Sequence, residues 1–197
     1  MNSVRVLTVL ATVAVVLAGA ILGASPALAI PITYTMTDTA TGSLNGVGFT
    51  DASILLKMIN DTTNVIGSPP GLFNVGTSTV SVNGGAPVTF TDSTFVFSNQ
   101  SILTVGFTKI NVGDILDERS SAFATYALAT AIGPITGSAV GGGAFPTTGG
   151  DFILNSVGDT AIFTATTATA VPEPASLVLL GTALLGLAGL ARRNGSH

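Results

Sequence analysis

The chain of 197 residues carries six Lys and Arg against ten Asp and Glu, and only 8% of its residues are charged. It has no cysteine and one histidine, His197. These counts exclude disulfides, thiolate metal sites and cysteine nucleophiles, and ahead of His197 they leave no residue for a Ser-His-Asp triad or a histidine metal cluster.

The N-terminal stretch reads MNSVRVLTVLATVAVVLAGAILGASPALA. Arg5 supplies a basic n-region, an apolar run follows to about Gly23, and Ala27-Leu28-Ala29 offers the small side chains that a signal peptidase needs. Residues 1–29 are therefore expected to be a signal-peptide helix handled by the general secretion machinery and cut after Ala29. The apolar run is nearly long enough to span a bilayer as an uncleaved anchor, but the small-residue site directly behind it favours cleavage.

Residues 30–170 are long enough for one domain with a real core and short for two. Three bases, Lys57, Lys109 and Arg119, face nine acids there, a net charge of −6. An acidic surface repels phosphate backbones, so no nucleic-acid partner is expected. Residues 32–37 (ITYTMT) alternate apolar residues with Thr, the period of a half-buried strand. A turn-rich passage with a short strand around Val47 and Phe49 comes next. Residues 53–59 (SILLKMI) read as a strand, being too short for a stable helix before Asn60-Asp61. Residues 65–71 (VIGSPPG) read as a loop, because Pro69 and Pro70 cannot donate to a ladder. Residues 79–82 and 87–90 flank Asn83-Gly84, which tolerates positive φ and marks the clearest hairpin.

Further strands are expected at 94–97, 102–107 and 123–132 (FATYALATAI), the last ended by Gly133-Pro134. Residues 139–150 (AVGGGAFPTTGG) read as a glycine-rich loop. No Lys-Ser or Lys-Thr follows it, so it is not a phosphate-binding loop. Final strands fall at 152–154 and 161–166, before a polar linker. Roughly eight to ten short strands with regular turn signals predict an all-β, antiparallel β-sandwich or jelly-roll-like domain.

Residues 171–197 form the tail. Pro172-Glu173-Pro174 holds the chain extended, and residues 175–191 are 17 residues without a charge. As a helix they extend about 26 Å at roughly 1.5 Å per residue, enough to cross a hydrocarbon core with help from the flanks. Arg192 and Arg193 follow and act as a stop-transfer signal that stays inside, which places the β-domain outside. This order of elements resembles the PEP-CTERM sorting signal of Gram-negative bacteria. The resemblance implies recognition by an exosortase, transient inner-membrane anchoring, removal of the tail near Pro172-Glu173-Pro174, and a destination at the cell surface or in an extracellular, exopolysaccharide-associated matrix or biofilm.

Within the domain, no catalytic residue, metal site or cofactor site stands out. Asp114-Ile115-Leu116-Asp117-Glu118-Arg119 is the densest charge cluster. Its carboxylates suit calcium chemically, but EF-hand spacing is absent and a solvated turn is expected. Sugar-binding surfaces stack rings on aromatics; the chain has no Trp, its tyrosines are Tyr34 and Tyr126, and most phenylalanines fall at strand positions expected in the core. The expectation is a non-enzymatic exported surface or matrix protein. The rivals are a secreted glycan-binding module and a secreted hydrolase built on a carboxylate pair.

Overall fold

The computed structural model describes residues 29–110 and 112–168. Their chain folds into thirteen strands: β1 (Pro31–Leu44), β2 (Val47–Asp61), β3 (Val65–Ser68), β4 (Gly71–Gly76), β5 (Ser78–Val82), β6 (Val88–Thr89), β7 (Thr94–Asn99), β8 (Thr104–Lys109), β9 (Gly113–Arg119), β10 (Ile132–Gly141), β11 (Gly143–Thr147), β12 (Gly150–Val157) and β13 (Thr160–Thr167). Two single-turn 3-10 helices, Thr62–Asn64 and Ser121–Phe123, interrupt them, and no α-helix occurs among the described residues. The expected signal-peptide and transmembrane helices lie outside those residues. No helix among the described residues is long and apolar enough to cross a membrane.

The antiparallel β class expected from the sequence is what forms. All pairings are antiparallel. The sequence anticipated a sandwich of fewer strands. Instead the strands join in one hydrogen-bonded sheet, in the order β3-β4-β7-β8-β9-β10-β13-β1-β2-β5-β6, with β12 and β11 branching from β1. The sheet curls into a half-barrel. Register shifts in β1, β9 and β10 supply the local bends that curvature needs. At the β1 bend sits Gly42, where any Cβ would collide with the Ile153 carbonyl.

The fold follows from alternation. In β1, Ile32, Tyr34 and Met36 point inward between Thr33, Thr35 and Thr37. The long β1–β2 hairpin turns at Asn45-Gly46, both at positive φ (52° and 76°), which matches the twist of two-residue hairpins. The expected hairpin at Asn83-Gly84 also forms, joining β5 to β6. One core cluster spans the curl, from Ile32 and Leu56 through Val96 and Phe107 to Phe163. Phe163 stacks against Tyr34 and meets Phe123 and Tyr126 edge-on. Side-chain bonds clasp β4 to β1 and β2: the buried Asn74 amide donates to the Tyr34 hydroxyl (2.8 Å) and the Asp61 carbonyl (3.1 Å), and accepts from Asn60 (2.6 Å).

Four expectations are corrected. Residues 123–132 are not a strand up to Ile132: Ser121–Phe123 is a 3-10 turn, and Leu128 has φ of 61°. That segment instead caps the core with Phe123, Tyr126 and Leu128, spaced by three and two residues, and so shows no strand period. The expected loop at 65–71 contains β3, with Pro69 and Pro70 occupying the turn into β4 rather than the ladder. The expected loop at 139–150 supplies the end of β10 and all of β11. The charged turn at 114–119 is β9.

Candidate functional site

β9 carries the chemistry because of a bulge. Asp114 and Asp117 are three apart, a spacing that puts side chains on opposite faces of a regular strand. Opposite Phe107 and Thr108 the register shifts by one residue. Ile115 and Leu116 are then both buried, and both aspartates emerge on the outer face of the sheet. Glu118, one residue on, points inward and has no exposed surface.

On the outer face, two rows run across the strands. Phe73 of β4 pairs with Phe97 of β7, Phe97 with Gly106 of β8, and Gly106 with Asp117. In the next row Phe95 pairs with Thr108, and Thr108 with Asp114. The first row thus begins in two aromatic rings and the second in Val75 and one ring, and each ends in an acid. Gly106 makes this juxtaposition, since the Phe97 ring and an Asp117 carboxylate oxygen occupy the space that a side chain there would fill. Phe73 and Phe95 meet edge-on, with centroids 6.1 Å apart. The result is an open groove of about 670 Å³, floored by Phe73, Phe95 and Phe97 and walled by Asp114 and Asp117.

The acids in β9 are strained electrostatically. Burial pushes the Asp117 carboxyl up to about 8, and the charge and hydrogen-bonding of neighbouring Asp114 push the same way. Its Oδ1 is shielded from solvent and has no hydrogen-bond partner. Burial also pushes Glu118 up to about 8, offset in part by the Phe163 backbone. Neither Glu118 oxygen has a partner that meets hydrogen-bond geometry. The base at the groove, Lys109, pairs with Asp92 and so leaves the aspartates unneutralised. Among the described residues, no three acids or other metal-ligating side chains converge.

Most phenylalanines are core, as expected: Phe90, Phe107, Phe123, Phe145, Phe152 and Phe163 are buried. Phe49 packs against that core partly buried; Phe73, Phe95 and Phe97 are the exceptions that sequence reasoning missed. They alternate with the inward-facing Leu72, Asn74, Thr94, Val96 and Ser98, and a strand with apolar residues on both faces does not reveal which face is inside. Of the residues assigned to export, Ala29 is the first described residue, exposed and irregular just ahead of β1. Ala27, Pro172, Glu173, Pro174, Arg192 and Arg193 lie outside the described residues.

A family model described as the PEP-CTERM protein-sorting motif matches residues 170–193. The chain is a PEP-CTERM domain-containing protein. The motif marks an exosortase-targeted, secreted protein and implies export and cell-surface sorting. No curated protein and no solved structure matches the chain, so the PEP-CTERM assignment speaks for its tail and leaves the chemistry of the β-domain to its own residues.

Proposed function

We propose that the protein is a non-enzymatic component of the cell surface or extracellular matrix, secreted after signal-peptide removal, held briefly in the inner membrane by its tail, and released by exosortase. The observation that carries this reading is the order of the tail: Pro172-Glu173-Pro174, 17 uncharged residues, then Arg192-Arg193. The apolar run anchors, the arginines hold the anchor's end inside, and the extended Pro-Glu-Pro stretch presents an accessible bond to the protease. β13 ends at Thr167, five residues before Pro172. At about 3.3 Å per residue this tether keeps the domain within roughly 15–20 Å of the site of cutting. The non-enzymatic part of the reading draws on β9. Among the described residues its groove is lined by no acid other than Asp114 and Asp117, both on one strand, so it offers no second carboxyl on the opposite wall at the about 5–10 Å that a glycosidase uses.

Replacing Pro172, Glu173 and Pro174 by alanine leaves the apolar run intact. The expected outcome is normal insertion with accumulation of an untrimmed membrane-bound precursor. Replacing Arg192 and Arg193 by glutamine weakens the stop signal instead, and part of the chain passes through uncut. Fractionation with mass spectrometry of the mature C-terminus distinguishes the two. Trimming and export of the Pro-Glu-Pro variant at the wild-type level overturns the reading.

A further inference from the structure

We propose that the outer-face groove over β4, β7, β8 and β9 binds a polysaccharide built from amino sugars with free amines. This deepens the surface-protein reading and rests on it for where the ligand is met. The floor presents three aromatic side chains, with Phe73 40% exposed, and aromatic surfaces receive the apolar C–H faces of sugar rings. The wall presents Asp114 beside Asp117, which stays protonated up to about pH 8, and the base in the lining, Lys109, is already paired. Charge complementarity therefore calls for a cation, and an ammonium here meets both carboxylate oxygens and aromatic faces, the combination that favours cation binding at partly dry sites. Asn99 and Thr108, also in the lining, match sugar hydroxyls.

The alternative cation carrier is a Lys-rich peptide. The groove lies on the face of paired strands, with β4 bonded to β3 and β7, β7 to β8, and β8 to β9. No free strand edge is available there to satisfy a peptide backbone, which is how extended peptides are ordinarily held. A sugar chain has no such ladder to satisfy. The groove is also open to solvent, which leaves room for a polymer to lie across it.

The test uses the full chain in detergent, so failure of sorting leaves the measurement intact. Calorimetry compares a glucosamine hexamer with its N-acetylated counterpart and with hexalysine. The free-amine hexamer is expected to bind at least about 10-fold tighter than either, since a charge-assisted contact is lost in the first and ring stacking in the second. Phe97→Leu keeps the side chain apolar and of similar bulk but removes the ring, and is expected to weaken binding by about 3- to 10-fold. Asp114→Asn with Asp117→Asn is expected to erase the preference for the free amine. Equal binding of the acetylated hexamer, tighter binding of hexalysine, no binding, or indifference to Phe97→Leu each overturns the proposal.

Discussion

Along β1 the outward positions are Thr33, Thr35, Thr37 and Thr39, whereas along β4 and β7 they are Phe73, Val75, Phe95 and Phe97. Inward, the flanks differ less. Ile32, Tyr34 and Met36 on one side and Leu72 and Val96 on the other belong to the same core cluster. The inward residues therefore determine the fold, and the outward residues are free to be anything the sheet tolerates. Threonine on the outer face is explained by β-propensity and solvation. A run of phenylalanines there gains nothing from the core and exposes apolar surface, which is the pattern of a contact surface. The carboxylates at the far end of the same rows give that surface a sign.

The sharpest way to separate the faces is to truncate one ring on each. Phe163 is fully buried among Tyr34, Phe123 and Tyr126. Phe163→Ala is expected to cost about 3–5 kcal/mol, the range for a large cavity in a core. Because one core underlies both flanks, urea unfolding should remain a single transition, read identically by far-UV circular dichroism and by tyrosine fluorescence. Two separated transitions would show that the flanks fold independently.

How much of this was legible in sequence depends on which face a residue serves. The alternation of β1 and the Asn83-Gly84 hairpin were plain, because period and turn chemistry agree there. The tail was plain because its order of elements is a physical recipe for anchoring and cutting. The Asn45-Gly46 turn carried the same chemistry as Asn83-Gly84, but the glycines around it read as a longer irregular passage. β3 and β11 were hidden by prolines and glycines that turned out to sit in turns or in short outlying strands. β9 was hidden by its bulge, since no period connects Asp114 to Asp117 until the register shift is known. The groove depends on that shift and on pairing between strands distant in sequence, so it was not readable from any single segment.

The two faces of β9 offer a second comparison, through pH. Glu118 titrates near 4.5 when unfolded and near 8 in the folded chain. The folded state thus holds a proton that the unfolded state has released over that window. Stability is therefore full below about 4.5 and falls as pH rises towards 8, with a slope of up to about 1.4 kcal/mol per pH unit from this group. Asp117 acts in the same direction from the outer face. Thermal melts between pH 5 and 8 should show a falling midpoint. Glu118→Gln, which keeps a neutral side chain of the same size, should remove about half of that slope, and Asp117→Asn a similar share. A wild-type midpoint that rises over this range would mean that Glu118 is ionised and has found a partner.

The smallest expected effect is the one that decides what the outer aromatics are for. Phe73 touches Phe95 edge-on but stands half in solvent. Phe73→Ala removes one exposed aromatic contact, so its cost should be no more than about 1 kcal/mol. Thr37→Ala, at an outward position of β1, should fall within about 0.5 kcal/mol of wild type. Both changes should leave the urea slope unchanged, since neither alters the surface buried on folding by much. The two flanks would then be near-equivalent in stability while differing in chemistry. If Phe73→Ala instead costs about as much as emptying a core site, roughly 3–5 kcal/mol, the outer phenylalanines hold the sheet together. Their presence would then need no ligand, and the contrast between a threonine face and an aromatic face would become one between two ways of stabilising the same curl.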